Sequence, residues 1–390
     1  MRAAVTIFAI WAAGLGAAAQ FGKMSVAYPA LEAVYAGQAG IGIGVMLSIV
    51  GTVGLVFGTT AGLWVARVGA RRALVAALAL GAVASALQIG LPPYPVMLAT
   101  RVLEGLSHLV IVVVGPTAIA GLAPGRGQGA AMTLWSSFFG VAYAVLFYVG
   151  PDLLADHGPG LLFGLHAIWM AVAALVLWLL LPGEGGQAQV KRRASLWAEH
   201  RAIYASPRLA APAMGFVCYT VTYVAVLTIL PAQMGDMGGF IGVAMPLVSI
   251  AVSLTLGIWL LGRMSAVRLV QRGFAAAMLA AGGLWLSWGG GLASVFALGV
   301  AASLGIVQGA SFAALAELNP GPADRARAAG AIAQLGNLGT TVGTPLLVWI
   351  TARAGEIGLA LFVIGFSALG VAIHAVQARR RLSAEPLPRR

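Results

Sequence analysis

Charged residues and cysteine are scarce in this sequence. Only 9% of its 390 residues are Asp, Glu, Lys or Arg, whereas about 25% are charged in an ordinary soluble domain. Because 60% of the residues are apolar, the composition excludes a large soluble domain and indicates a membrane protein. The single cysteine, Cys218, excludes a disulfide framework and a zinc site built from several thiolates.

Motifs of nucleotide hydrolysis and of enzyme catalysis are also missing. The sequence has no Gly-x-x-x-x-Gly-Lys-Ser/Thr loop, and its only lysines are Lys23 and Lys191, so a Walker-type ATP site is excluded. It has no His-Glu-x-x-His motif, no serine nucleophile elbow and no pair of carboxylates within one apolar run. We therefore expect no enzyme activity, no cofactor and no resident metal.

Apolar runs long enough to cross a bilayer as helices recur twelve times. A spanning helix needs about 20 apolar residues, and the runs lack the period-two alternation of membrane strands. The predicted spans lie at about 4–28, 38–65, 72–91, 95–121, 127–149, 160–181, 208–231, 240–261, 268–288, 292–317, 326–351 and 356–377. The prediction is an all-α membrane protein with twelve transmembrane helices. An alternative for the first run is a cleaved signal peptide, since Ala17-Ala18-Ala19 resembles a cleavage site.

The distribution of basic residues predicts the orientation. Of the 23 Lys and Arg residues, Arg353 alone falls in an external connection if the N-terminus is cytoplasmic, and Lys23 and Arg101 fall within spans. The remaining twenty lie in internal connections, as the positive-inside rule requires. The formal charge of +12 therefore indicates contact with anionic lipid and not with nucleic acid. We expect a multi-pass protein of a plasma (bacterial inner) membrane with both termini cytoplasmic.

An internal repeat supports the count of spans. When the sequence is shifted by 196 residues, 120–124 lies over 316–320 and Arg67 over Arg263. The halves are thus predicted to be parallel six-helix repeats, an architecture of secondary transporters with a site between the halves. The predicted domains are an N-terminal bundle at 1–182, a polar cytoplasmic linker at 183–207, and a C-terminal bundle with a short basic tail at 208–390.

Two local motifs resemble those of a known family. The connection after the second span reads Gly62-Leu63-Trp64-Val65-Ala66-Arg67-Val68-Gly69-Ala70-Arg71-Arg72, similar to the Gly-x-x-x-Asp-Arg-x-Gly-Arg-Arg loop of the major facilitator superfamily. Arg101-Val102-Leu103-Glu104-Gly105 resembles the Arg-x-x-Gln/Glu-Gly motif of its fourth helix. With the span count, charge pattern and repeat, the resemblance covers the whole chain.

The resemblance implies a secondary transporter that works by alternating access. It implies a gating role for the loop residues Gly62, Arg67, Gly69 and Arg71. Ala66 stands where the family usually has aspartate, which puts the family's charge latch in doubt.

Glycines recur every four residues on two predicted helices. Gly54, Gly58 and Gly62 form such a stripe on the second helix, and Gly339 and Gly343 repeat the spacing on the eleventh. Small residues allow close contact between membrane helices. The resemblance implies that these two helices face each other across the halves and permit the halves to move. Tight packing without movement is the alternative.

Charged residues within spans are the main candidates for a site, because a charge inside the bilayer costs from about 3 to more than 10 kcal/mol. Lys23 lies near the outer end of the first span, and Arg101, Glu104 and His108 share one face of the fourth. Lys23 and Arg101 are predicted to bind substrate, and Glu104 and His108 to carry a coupling proton. The alternatives are snorkelling of Lys23, a structural Arg101–Glu104 pair, and a packed His108.

The second half offers polar but uncharged residues at its predicted site. They are Tyr219 and Tyr223 on the seventh span, Gln308 on the tenth, and Gln334 and Asn337 on the eleventh. These side chains suit hydrogen bonding and stacking with a substrate. Buried polar side chains also cross-link membrane helices, which is the alternative.

The predicted site contains two basic residues, Lys23 and Arg101, and one acidic residue, Glu104, so its net charge is positive. The leading hypothesis is therefore a monomeric secondary active transporter of a small organic anion, with protons as a candidate coupling ion. One alternative is a proton-driven exporter of amphiphilic or cationic compounds with Glu104 as counter-ion. Another is a transporter of copper(I) or a similar soft metal captured by Met234 and Met237. The last is a non-transporting membrane assembly factor of the same fold.

Overall fold

A computed structural model describes residues 2–38, 40–58, 68–123, 131, 134–182 and 196–384. Within these ranges the regular structure is helical, without strands. The helices before residue 190 are α1 (Arg2–Val26), α2 (Tyr28–Val34), α3 (Ile41–Ser48), α4 (Gly51–Phe57), α5 (Ala70–Gln88), α6 (Tyr94–Leu122) and α7 (Phe138–Leu180). The later ones are α8 (Leu196–Ala205), α9 (Ala210–Gln233), α10 (Gly238–Val252), α11 (Ile258–Leu261), α12 (Ala266–Leu286), α13 (Ala293–Leu318) and α14 (Pro322–Ala384).

Two of these helices are too long to cross a bilayer once. At 1.5 Å per residue, the 43 residues of α7 would extend about 65 Å, twice the thickness of the hydrocarbon core. Gly158 interrupts α7 with a φ of 71°, and Gly355 interrupts the 63-residue α14 with a φ of 55°. Both values lie in the left-handed region that glycine adopts without strain. Each helix therefore consists of two segments, divided where the predicted spans are divided.

Nine helices of the described ranges are long and apolar enough to span a membrane. Division of α7 and α14 at their glycines adds two segments, and α3 with α4 lies within the predicted second span, whose end falls outside the described residues. The all-α membrane fold is thus confirmed, and the helices are consistent with the predicted twelve spans. The connection from α10 to α11 is a π-helical turn at Ser253–Gly257, a common feature near functional sites.

The chain forms two compact units, and their boundaries fall inside α9 and α10. The first unit contains Met1–Lys191 and Leu227–Leu247, and the second contains Arg192–Val226 and Val248–Arg390. These bounds differ from the predicted three-part division, which stays a prediction.

The first unit has an apolar and a polar end. Its apolar core joins α1, α5, α6 and α7 through side chains that include Ile10, Leu74, Leu78, Ile119 and Leu177. Lys23, Gln88 and Arg101 lie at the other ends of their helices, in the predicted outer half. This layering places the charged side chains away from the apolar core, yet they too are buried.

The second unit packs α14 closely on α9 at two glycines. A Cβ atom on Gly339 would lie 2.0 Å from Thr220 Oγ1, and one on Gly343 would lie 2.1 Å from the carbonyl oxygen of Val221. Real Cβ atoms do not approach other atoms so closely, so these glycines allow the helix contact. The packing role predicted for them therefore has a defined partner, α9, within this unit.

Candidate functional site

Lys23, Arg101 and Glu104 form one buried ionic cluster in the first unit. Lys23 Nζ lies 2.5 Å from Glu104 Oε1, and Arg101 Nη1 pairs with Glu104 Oε2. All three side chains are 0% exposed. Lys23 therefore does not snorkel to the surface, and the single carboxylate joins α1 to α6.

Polar side chains of α5 and α6 complete the hydrogen bonds of Glu104. Ser85 Oγ donates to Glu104 Oε1 at 3.0 Å, and Gln88 Nε2 donates to Oε2 at 3.0 Å. Gln88 also accepts from Lys23 Nζ at 2.8 Å through its own oxygen, and its amide donates to Thr100 Oγ1 at 3.0 Å. Glu104 thus accepts from two cations and two neutral donors, an environment that favours its ionised form.

Arg101 is also an anchor for α3. Its Nε donates to the carbonyl oxygen of Met46 and its Nη2 to that of Leu47, each at 3.1 Å. These carbonyls lie at the C-terminal end of α3, where backbone acceptors lack helical partners. Arg101 therefore has a structural role as well as a charge, whereas Lys23 Nζ contacts side chains alone, those of the cluster and the ring of Phe163.

His166, which sequence reasoning missed, belongs to the same cluster. Its Nε2 lies 2.9 Å from the carbonyl oxygen of Gly16, which requires a proton on that nitrogen. Its Nδ1 lies 3.2 Å from Lys23 Nζ, which can only donate, and 2.5 Å from Ser85 Oγ, whose single proton can go to Nδ1 or to Glu104 Oε1 but not to both. The hydrogen bonds assign a neutral imidazole with the proton on Nε2 and the lone pair on Nδ1. The sequence did contain a signal for His166, because it is an ionisable residue within a predicted span and such residues are functional candidates.

The cluster carries a surplus positive charge. Lys23 and Arg101 are cations, Glu104 is an anion, and the hydrogen bonds of His166 indicate a neutral ring, so the sum is +1. The surrounding atoms leave none of the three charged side chains exposed. An unbalanced charge in such surroundings costs several kcal/mol, and an anion of suitable size would balance it.

The repeat shows that the fold does not require this cluster. α12 begins 196 residues after α5, and α13 ends 196 residues after α6, so the repeat holds in the structure. At the positions matching Ser85, Gln88, Arg101, Glu104 and His166, the second unit has apolar residues. They are Ala281, Leu284, Ala297, Val300 and Phe362, each at most 3% exposed. The same positions pack well without charge, which favours a functional role for the cluster over a structural one.

His108 lies on the same helix as Arg101 and Glu104 but contacts different atoms. Its Nδ1 lies 2.9 Å from the carbonyl oxygen of Ala17, and its ring meets Phe21 edge to face with centroids 5.1 Å apart. No hydrogen bond links it to Glu104 among the described residues. Its predicted role in proton coupling stays a prediction.

The predicted polar residues of the second half all lie in the second unit. Tyr219 and Tyr223 are buried and stacked, with ring centroids 5.1 Å apart. Asn337 Nδ2 donates to the carbonyl oxygen of Ala333 in its own helix at 2.8 Å. Gln308 and Asn337 are partly exposed. The predicted binding role of this set remains untested.

Gln334 has a partner outside the predicted spans. The hydroxyl group of Tyr204 in α8 donates to Gln334 Oε1 at 2.9 Å. Burial raises the pKa of Tyr204 to about 12, so this hydroxyl stays protonated and remains a donor at neutral pH. The contact attaches α8 to α14 within the second unit.

The gating residues are described only in part. Gly62 and Arg67 lie outside the described residues. Gly69 precedes α5 with a φ of 90°. Arg71 stacks on Trp178, with 4.1 Å between the guanidinium carbon and the ring centroid, and Nη2 donates to the Trp178 carbonyl oxygen at 2.6 Å. Arg71 thus joins the start of α5 to the end of α7.

The remaining predicted residues have simpler environments. Gly54 and Gly58 are buried in the first unit. Met234 is partly exposed and Met237 is 43% exposed, beside the short turn Gly235–Met237. No group of three or more His, Cys, Asp or Glu side chains that could hold a metal occurs in the described ranges.

Comparison with known proteins identifies one family. The model of the Major Facilitator Superfamily matches residues 7–344, a range that includes all residues of the ionic cluster. No curated protein matches the chain.

Proposed function

The chain belongs to the major facilitator superfamily and is thus a secondary transporter, and we propose that its substrate is a small organic anion. The observation that carries this proposal is the buried cluster of Lys23, Arg101 and Glu104 with its surplus positive charge. A carrier of cations would need a site with a net negative charge, because a cation brought to this cluster would add to its surplus positive charge.

Lys23 is the cation best suited to exchange partners. Arg101 is held by the α3 carbonyls as well as by Glu104, so its displacement would disturb a helix end. The four polar neighbours of Lys23 Nζ are all side chains: Ser85, Gln88, Glu104 and His166. A substrate carboxylate can replace Glu104 at the ammonium without loss of a backbone contact. Arg101 then offers a second, fixed cation to the substrate.

Protonation of Glu104 would couple transport to a proton. The carboxylate neutralises one of two cations, so its protonation raises the charge of the cluster from +1 to +2. The doubly positive cluster attracts an anion more strongly, and the bound anion in turn favours the proton on Glu104 by the reciprocity of linkage. The predicted coupling is therefore the movement of proton and anion in the same direction.

Ligand-induced stabilisation of the purified protein tests the choice of substrate. We would measure the thermal unfolding temperature with lactate, succinate, citrate, tetraphenylphosphonium and copper(I). At a concentration of 100 Kd, a ligand stabilises the folded state by about 2.7 kcal/mol, which is readily resolved. We expect stabilisation by at least one organic anion and a loss of that effect in Lys23→Met.

The matched control is Arg353→Gln, which removes an exposed cation that stacks on Trp349. It should leave the anion effect unchanged. Stabilisation by tetraphenylphosphonium or by copper(I) alone would contradict the anion proposal and would favour the cation exporter or the soft-metal carrier. The chain is a multi-pass integral membrane protein, whereas the plasma (bacterial inner) membrane, the cytoplasmic position of both termini and the monomeric state remain predictions from the sequence.

A further inference from the structure

The hydroxyl group of Ser85 lies between two groups that can hold a proton. Ser85 Oγ is 2.5 Å from His166 Nδ1 and 3.0 Å from Glu104 Oε1. A hydroxyl group can accept one hydrogen bond while it donates another. Ser85 therefore has the geometry to accept from a protonated His166 and to donate to Glu104.

His166 is also the least enclosed of these residues. It is 6% exposed, whereas Lys23, Ser85, Arg101 and Glu104 are each 0% exposed. Among the five, His166 alone has surface at which a proton from outside the cluster can arrive. His166 is also a group whose ordinary pKa lies close to neutral pH, which suits reversible proton uptake.

From these contacts we infer that His166 receives the coupling proton and passes it to Glu104 through the Ser85 hydroxyl. This relay rests on the proton coupling in the proposed function. In the first step, His166 Nδ1 binds the arriving proton, and the imidazolium donates to Ser85 Oγ. In the second, Ser85 Oγ accepts the Nδ1 proton while its own proton moves to Glu104 Oε1. His166 returns to the neutral form with the proton on Nε2, Ser85 is a hydroxyl again, and Glu104 is a neutral acid.

The charged groups around His166 give the relay a direction. Lys23 on α1 and Arg101 on α6 repel a positive imidazolium, while Glu104 on α6 attracts it. Lys23 Nζ is only 3.2 Å from Nδ1, so the imidazolium is unfavourable while the ammonium keeps its position. Transfer to Glu104 removes the positive charge from the ring and frees Lys23 from its carboxylate partner. The relay therefore ends in the state that the proposal assigns to anion binding.

Ser85→Ala tests the relay with little disturbance of packing. The matching residue of the second unit is Ala281, which is fully buried, so alanine fits this position of the repeat. The matched control is Ser107→Ala, which removes another fully buried hydroxyl group from the first unit. Ser107 accepts from Gln20 Nε2 at 3.0 Å and has no contact with His166 or Glu104 in the described ranges.

Two transport modes separate the relay from the substrate proposal. In proteoliposomes, a pH-sensitive dye reports the proton movement that accompanies anion uptake. The anion used is the one among lactate, succinate and citrate that stabilises the protein in the thermal assay. Counterflow of the same labelled anion reports exchange without net proton movement. We expect Ser85→Ala to lower the rate of coupled proton movement, divided by its own rate of counterflow, at least tenfold below the wild-type ratio. Ser107→Ala should leave both unchanged.

The hydrogen bond itself is tested without any anion. In protein with 15N-labelled histidine, His166→Asn identifies the His166 signals, and the Nδ1 shift should move in Ser85→Ala but not in Ser107→Ala. An unchanged Nδ1 shift, or full coupled proton movement in Ser85→Ala, would overturn the relay. A wild-type protein that performs counterflow but moves no protons would overturn the coupling in the proposed function as well. If the wild type showed no counterflow but the Nδ1 shift moved as expected, the result would contradict the anion substrate and would leave the His166–Ser85 hydrogen bond supported.

Discussion

Removal of the two opposite charges in the Lys23–Glu104 pair should have unequal effects on stability. Glu104→Gln leaves Lys23 and Arg101 buried with no anion and raises the local charge from +1 to +2. Loss of one partner from a buried ion pair costs about 3–5 kcal/mol, and two cations lose their partner here. We expect the free energy of unfolding to fall by at least that amount.

Lys23→Met has the opposite effect on the balance of charge. Glu104 keeps Arg101, Ser85 and Gln88 as donors, and the local charge falls to zero. Each lost hydrogen bond from the ammonium costs about 1.5–3 kcal/mol, whereas burial of the ammonium costs several kcal/mol in the wild type. The two terms oppose each other, so we expect Lys23→Met to lose less stability than Glu104→Gln, which leaves two buried cations without their partner.

The assay is reversible unfolding in mixed micelles with increasing dodecyl sulfate, followed by tryptophan fluorescence. Glu356→Gln, which removes an exposed carboxylate, is the control for loss of a negative charge and should change stability little. If Lys23→Met destabilised the protein as much as Glu104→Gln, the ammonium would be a required partner and not a surplus charge. That result would refute the charge balance on which the anion proposal rests.

Three further substitutions test the packing, each by thermal unfolding. Gly343→Ala places a Cβ atom 2.1 Å from the Val221 carbonyl oxygen and should cost about 1–3 kcal/mol. The control Gly365→Ala, whose Cβ would have no atom within 4 Å, should be neutral or stabilising by up to about 1 kcal/mol. Equal losses of stability in the two variants would contradict the close contact between α14 and α9. His374→Leu should raise the free energy of unfolding by about 1–3 kcal/mol, because both ring nitrogens are buried without a hydrogen-bond partner in the described structure. A lower free energy of unfolding in this variant would contradict the assignment of His374 as a buried, unsatisfied side chain. Gly158→Ala should cost about 1–3 kcal/mol, because its φ of 71° and ψ of 179° are adopted almost only by glycine. An unchanged unfolding temperature would count against this bend in α7.

The sequence predicted the fold better than it predicted the site. Apolar runs and loop charges follow from the bilayer alone, so the spans and the places where α7 and α14 break could be predicted. The Arg101–Glu104 pair was also accessible, because residues three apart share one face of a helix. These features depend on spacing along a single segment.

Contacts between helices depend on how each helix is rotated, which spacing does not determine. The link from Lys23 to Glu104 joins α1 to α6, and His166 on α7 contacts Lys23 directly and Glu104 through Ser85 on α5. Nothing in the pattern around His166 or Ser85 distinguishes them from other polar residues within spans. The apolar residues that replace them in the second unit could have singled them out, because comparison of the repeats needs only the shift of 196.

Uptake by Lys23→Met in proteoliposomes tests the central claim most directly, since this variant removes the cation proposed to bind substrate and keeps the Arg101–Glu104 pair. With an inward proton gradient, the wild type should concentrate the organic anion that stabilises it in the thermal assay, and Arg353→Gln should do the same. The account predicts at least a tenfold loss of uptake in Lys23→Met. Uptake at the wild-type rate in this variant would contradict the assignment of the buried cations to an anion.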